Sequence, residues 1–462
     1  VNMEKRKSVW QQIDDQTNKE IFDYSEKYKN FLDLAKTERL ATSEIIRQAK
    51  EKGFISLEQA LEKGPEKNDK IYLNNKNKSV VLMVLGEDLE KGMNIVGSHL
   101  DSPRLDLKAN PIYEEAEMAF AKTHYYGGIK KYQWPTIQLA MHGFFIDKDG
   151  KEVNISIGEK EDDPVFYIND ILPHLGATQS QKKAAEAVEA ESLNVVFGHS
   201  SFNISDEENP IKKSVSSYLK ENYNLEEDDF RVAEIQIVPA AKARDVGFDR
   251  AMVAAHGQDD RVCSFANLEA ILNVDNPKVT AVGLFVDKEE IGSVGNTSMQ
   301  AKFFENMVAE LLATRENYSD ILVRRAMANS HVLSADVTVA YDPDHDYAFE
   351  KLNTAFVGHG IAMSKYTGAR GKSGSNDANP EFLAKLRDLF NENEVIWQTG
   401  ELGKVDQGGG GTIAYILAEH GAEVVDMGTA MLSMHAPVEL LSKADAYMTY
   451  KAYQVFLDKF EG

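Results

Sequence analysis

Short, uninterrupted apolar runs recur along this chain, and several of them end on charge. SVVLMVLG (79–86), NIVGSHLDS (94–102), VTAVGLFVD (279–287) and AEVVDMG (422–428) are dominated by Val, Leu, Ile and Met and are bounded by Gly or Asp. Runs of this length read as strands buried on both faces, as in a parallel sheet. HVLSADVTVA (331–340), NTAFVGHGIAM (353–363) and EVIWQTGE (394–401) read as further strands. Helical spacing separates them: in RVCSFANLEAILNV (261–274), Phe265, Leu268, Ile271 and Leu272 share one face. The first 65 residues are polar and helical, with Thr42 and Glu44 opening the segment TSEIIRQAKEKGF.

From about Pro111 to Phe248 the texture changes. TIQLAMHGFFIDKDGKEVNISIG (136–158) alternates apolar and polar residues around Asp149-Gly150, an antiparallel hairpin signal. QKKAAEAVEAESLN (181–194) follows with helical spacing, and DDFRVAEIQIVPA (228–240) reads as another strand. The expected fold is α/β, with a mixed, mostly parallel sheet flanked by helices and a β-rich insertion. Residues 1–110 plus 249–462 would form the catalytic domain, and 111–248 an inserted β-rich dimerisation domain.

Composition narrows the function. The chain has 462 residues and a formal charge of −23, with a pI near 5.0. Nucleic acid or an anionic membrane as main partner would need a basic face, so both are excluded. A single cysteine, Cys263, rules out an internal disulfide and suits a reducing compartment. The opening VNMEKRKSVWQQIDD has no apolar leader core, and no uncharged 18-residue apolar run occurs. The expectation is a cytoplasmic protein.

The chemistry sits where the apolar runs end, the edge at which open α/β sheets bind ligands. His99 and Asp101 lie two apart in VGSHLD, so in an extended chain both point the same way. A metal-binding His99 could then have its other ring nitrogen held by Asp101. Asp259, Asp260 and Arg261 enter a helix, where capping alone requires one carboxylate. Glu289 and Glu290 leave the VGLFVD strand side by side, allowing one metal ligand and one general base. Asp336 interrupts an apolar stretch, where an unpaired carboxylate is costly. His435 follows MGTAMLSM. His99, Asp259, Glu289, Glu290, Asp336 and His435 together supply two imidazoles and four carboxylates, a donor set for two divalent metals, zinc by default with manganese or cobalt as alternatives.

Taken in order, SHLDSPRLDLK, DDR before a helix, DKEEIGS, SADVTVA and SMHAPVE resemble the aspartyl aminopeptidase family of dimetal metallo-aminopeptidases over nearly the whole chain. The resemblance implies that His99, Asp259 and Asp336 hold one metal, and Asp259, Glu290 and His435 the other. It implies Glu289 as general base, Asp101 as the orienter of His99, and a cis peptide after Asp259. The expected activity is removal of N-terminal residues from short peptides, with acidic first residues suggested by the family and Lys365 as a candidate partner for their side chains. The segment Ile171-Leu172-Pro173-His174-Leu175 resembles a loop that carries a histidine into a neighbouring subunit's site, so His174 would serve there in trans. A homo-oligomer is implied, a dimer building block assembling to a dodecamer.

Two competing functions share the same residues. A dimetal carboxypeptidase or deacylase would need a basic clamp, for which Arg104, Arg261 and Arg370 are candidates; a shell-forming relative without catalysis is the other. Gly371-Lys372-Ser373 fails as a phosphate loop because Tyr366 stands where its first glycine belongs. The glycine run in VDQGGGGT (405–412) reads as close backbone approach beside the substrate cleft.

Overall fold

Ser79–Val84 and Thr280–Val286 are buried at every position. Alternate side chains point to opposite sides: Val80, Leu82 and Val84 enter one apolar cluster, while Val81 and Met83 enter another. Because both faces are covered, the run shows no polar alternation. Each such side chain contributes about 1.5–3 kcal/mol relative to exposure.

The computed structural model describes residues 7–201, 204, 208–368 and 370–462. They divide into two compact units: Val1–Asp101, Ala243–Met434 and Glu439–Gly462 form one, and Ser102–Lys242 with His435–Val438 the other. No helix among the described residues is long and apolar enough to cross a membrane.

The first unit is built on a nine-stranded sheet in the order Ile55–Ser56, Lys70–Asn75, Ser79–Val84, Thr280–Val286, Met93–His99, His331–Ser334, Glu423–Gly428, Ile361–Ser364, Trp397–Thr399. The strands 280–286, 93–99, 331–334 and 423–428 run parallel at its centre, flanked by antiparallel pairings. The helices Asp15–Leu34, Glu38–Glu51, Gln258–Leu272, Pro380–Glu392 and Lys443–Lys459 pack into the cluster on one face. Leu57–Lys63, Phe303–Ala313, Asp320–Ala328 and Ala414–Ala418 cover the other. A separate five-stranded sheet joins Arg244–Val246, Met252–Ala255, Glu439–Ser442, Ala430–Leu432 and Thr338–Val339.

The second unit holds a six-stranded antiparallel sheet over its own core of Leu105, Trp134, Met141, Phe145 and Ile237, among others. Its hairpin Leu139–Ile146 and Glu152–Ile157 turns at Asp149-Gly150, with Gly150 at φ 78. The unit begins at Ser102 because the strand Arg104–Glu115 is continuous and pairs with Met118–Tyr126.

Four local readings need correction. The second helix starts at Glu38, capped by the Thr37 hydroxyl, which accepts from the Leu40 amide at 3.2 Å. Thr42 and Glu44 lie inside it, past the first turn, where the backbone amides already pair within the helix and leave a hydroxyl nothing to cap. Residues 181–194 form only the turns Ala184–Ala187 and Ala190–Ser192. Val188 is extended, and with Leu193 it enters the core of the second unit, so tertiary packing overrides alanine's helix propensity. HVLSADVTVA breaks into His331–Ser334 and Thr338–Val339, which belong to different sheets, with Asp336 at the break. In NTAFVGHGIAM only Ile361–Ser364 is a long strand; before it, Gly358 and Gly360 take φ 80 and 85 and donate their amides to the Asp445 carboxylate.

Candidate metal centre

Three neighbouring parallel strands release their chains at one edge. His99 ends Met93–His99 in register with Val286, and Gly97 is in register with Ser334. The residues that follow, Asp101, Glu289, Glu290 and Asp336, therefore emerge together. Glu289–Ile291 forms a single turn between Lys288 at φ 69 and Gly292 at φ 95. The Asp101 carboxylate fixes that turn: one oxygen accepts the Glu289 amide and the other the Glu290 amide, each at 3.1 Å. Asp101 also faces His99 Nδ1, through its backbone carbonyl at 2.9 Å and its Oδ1 at 3.3 Å. One buried residue thus sets both the imidazole and the glutamate pair.

Asp259 comes from the start of Gln258–Leu272, after Gly257 at φ 69, and the Asp259–Asp260 peptide is cis. The helix is tied to the His99 strand: Ser264 Oγ donates to the His99 carbonyl at 2.8 Å, and Asn267 Nδ2 to the Val96 carbonyl at 2.9 Å. The acidic doublet divides its work. Asp259 Oδ1 lies 3.2 Å from His99 Nε2, whereas Asp260 Oδ2 accepts the His99 backbone amide at 3.2 Å. Sequence reading missed Glu439, almost fully buried, whose Oε2 accepts the Asp259 amide at 3.0 Å. Its only signal was a glutamate inside the apolar PVELL.

Around His99 Nε2 the remaining acids converge, Asp336 Oδ1 at 3.8 Å and Glu289 Oε2 at 3.9 Å. Ligand atoms of His99, Asp259 and Asp336 lie within 4.8 Å of one another, as do those of His99, Glu289 and Glu290. His435 belongs to the second unit, at φ 65, with Nδ1 2.8 Å from the Gly128 carbonyl.

The electrostatics ask for positive charge. Burial, then repulsion from Glu289, Asp260 and Asp259, pushes the Asp336 carboxyl well above the usual range. Burial likewise raises Asp260, with Asp259 adding repulsion. Burial opposes charge on His99, yet Asp101 and Asp259 hold its pKa well above the ordinary value. A cluster that must otherwise gather protons is one that a dication can neutralise. Imidazole nitrogen with carboxylate oxygens is a donor set that zinc accepts, so the residues fit a metal.

Other candidates lie elsewhere. Arg261 Nη2 donates to the Lys36 carbonyl at 2.9 Å and the Leu100 carbonyl at 3.3 Å, so this side chain fastens backbone. Arg104, in the second unit, binds Asp106 at 2.7 Å and stacks over Tyr126. Arg370 and Lys365 are exposed; Ala369 between them lies outside the described residues. Lys372 covers the Tyr366 ring and pairs with Asp377 at 3.0 Å, in a segment no helix follows directly. His174 sits on the exposed turn Pro173–Leu175 of the second unit. Cβ atoms built on Gly408, Gly410 and Gly411 would meet nothing nearer than 3.9 Å, so the chain's own packing does not demand glycine at these three positions.

Comparison with known proteins bears on this arrangement. Residues 31–457 match the family described as Aminopeptidase I zinc metalloprotease (M18). A probable M18 family aminopeptidase 1 of Clostridium acetobutylicum is 49% identical over 455 residues, 98% of each chain. The crystal structure of an M18-family aminopeptidase from Thermotoga maritima aligns with a TM-score of 0.94 at 43% identity, covering 99% of this chain and 100% of that one. The structure of the S. cerevisiae mApe1 dodecamer, 21% identical, shares the fold at a TM-score of 0.75, covering 94% of this chain and 96% of that one.

Proposed function

The chain belongs to the M18 family of zinc metallo-aminopeptidases, and on that premise we propose a two-metal centre that removes single N-terminal residues from short peptides. His99, Asp259 and Asp336 are the proposed ligands of one ion, and Asp259, Glu290 and His435 those of the other. When bound, the ions supply a polarised scissile carbonyl and a nucleophile at neutral pH. Glu289 takes the proton from the attacking water and returns it to the leaving amine. Asp101 positions that base by gripping its amide, and holds the tautomer of His99 that leaves Nε2 free to ligate. The free α-amine of the substrate is read by carboxylates of the same cluster. An acidic first residue is the proposed preference, on family resemblance, with Lys365 as its partner.

The observation that carries this reading is the Asp101 grip, because it places two adjacent glutamate amides against the residue that faces His99. The carboxypeptidase alternative is disfavoured by Arg261, whose guanidinium is engaged by backbone carbonyls. The mApe1 dodecamer and the exposed Ile171, Leu172 and Leu175 around His174 support assembly into a dimer-based oligomer. Zinc-loaded protein should hydrolyse amino-acyl anilides and leave their N-acetylated forms intact. Cleavage of the N-acyl substrates instead would make it a deacylase or carboxypeptidase.

A further inference from the structure

Glu439 is an acid that the chemistry above leaves unused. It is 1% exposed, opens the strand Glu439–Ser442 and lies two positions before the fully buried Leu441. A carboxylate buried in such surroundings is costly unless donors meet its oxygens. The donors come from the segment that leads to Asp259, the carboxylate proposed to serve both metal positions. Met252–Ala255 pairs with this strand, with Ala255 in register opposite Glu439.

From Ala255 onward the chain stays attached to Glu439. Gly257, at φ 69, turns it. Gln258 Nε2 then donates to the Glu439 carbonyl at 2.7 Å and to the Val253 carbonyl at 3.2 Å. Tyr28 fixes the orientation of that side-chain amide by donating its hydroxyl to Gln258 Oε1 at 3.1 Å. Finally, Glu439 Oε2 accepts the Asp259 amide at 3.0 Å. Asp259 (φ −80, ψ 107) and Asp260 (φ −115, ψ 30) are not helical, and amides at the start of a helix have no acceptor within it. The acceptor is supplied instead by a side chain 180 positions away. An aspartate side chain is short, so the place of its carboxylate follows from the place of its backbone. With the amide gripped, Asp259 Oδ1 stands 3.2 Å from His99 Nε2.

We propose that Glu439 is a positioning residue for Asp259, holding its backbone where the short side chain faces His99 in the metal centre. This rests on the two-metal reading and extends it to what keeps the shared ligand in place. Gln258 and Tyr28 brace the same bend from its other side.

The test uses metal-stripped wild type and the variants Glu439→Ala, Glu439→Asp and Glu439→Gln, each titrated with zinc by calorimetry. Hydrogen exchange over residues 255–260 is followed by mass spectrometry before zinc is added. Losing a partner that orients a metal ligand weakens metal binding about tenfold to a hundredfold. Glu439→Ala should show that loss, with faster exchange confined to 255–260 and circular dichroism unchanged. Glu439→Asp, whose carboxylate falls short of the amide, should match it. Glu439→Gln keeps an oxygen at the same reach and should restore both zinc affinity and protection, a rescue that mere filling of the core would not produce. Wild-type zinc affinity in folded Glu439→Ala, or a Glu439→Gln as weak as Glu439→Asp, would overturn the role; if Glu439→Ala does not fold, the contrast between Asp and Gln decides. A wild type that binds a single zinc or none, while exchange over 255–260 still rises in the variants, would refute the two-metal reading and leave the grip on Asp259 standing. Unchanged exchange together with that result overturns both.

Discussion

Asp101 has two carboxylate oxygens and three groups to serve: the amides of Glu289 and Glu290, and the Nδ1 side of His99. An asparagine at this position keeps one acceptor and turns an N–H₂ toward an amide that needs one, so one side of the grip opens. Asp101→Asn should lower kcat about tenfold to a hundredfold, the scale of lost ligand orientation, with the fold retained by circular dichroism. Glu289→Gln should cost on the order of a hundredfold to ten-thousandfold in turnover while elemental analysis still finds zinc, because Glu289 is assigned the proton and Glu290 the metal. Loss of zinc from Glu289→Gln would exchange the two roles. The acids that converge here were legible in the sequence because strand ends in a parallel sheet share an edge: Asp101 and the glutamate pair stand just past apolar runs, Asp336 interrupts one, and Asp259 belongs to a doublet larger than a helix cap requires. The Asp101–Glu289 and Asp259–Glu439 contacts were not, since they join residues 188 and 180 positions apart and leave no local periodicity.

Elements were legible where burial dictates pattern and illegible where a single contact does. The run TAVGLFV needed two buried faces and shows them. The Ala-rich 181–194 segment carried helix propensity, but Val188 is drawn into a core the sequence does not advertise. The bend before Ile361–Ser364 depends on Asp445, fully buried in a helix distant in sequence, accepting the amides of Gly358 and Gly360 at 2.6 and 2.7 Å. Asp445→Asn points an N–H₂ at one of these donors and should destabilise the protein by about 1–3 kcal/mol in urea denaturation. Burial pushes the Asp445 carboxyl up to about 7 despite those amides. A folded-state pKa above the unfolded value means the folded state holds the proton more tightly. The group's contribution is then full below about pH 4 and fades as pH rises toward 7. The stability gap between wild type and Asp445→Asn should therefore narrow over that window; a gap that widened would show that the backbone donors, rather than burial, set the ionisation of this group.

At the scale of the whole molecule, assembly and chemistry each carry a testable consequence. His174 is assigned to a neighbouring subunit's site, so His174→Ala and Glu289→Gln, each inactive alone, should regain activity when their subunits are exchanged. No recovery despite demonstrated exchange would confine His174 to its own chain. The chemistry rests on two ions among acids that crowd one another, and titration of zinc into metal-stripped protein tests it most directly. Calorimetry should register two equivalents per chain, with proton release as the raised carboxyls and His99 give way to the metal, and amino-acyl anilide hydrolysis should reach its maximum only as the second equivalent is taken up. Full activity at a single equivalent, or activity in the stripped protein, would contradict the two-metal account.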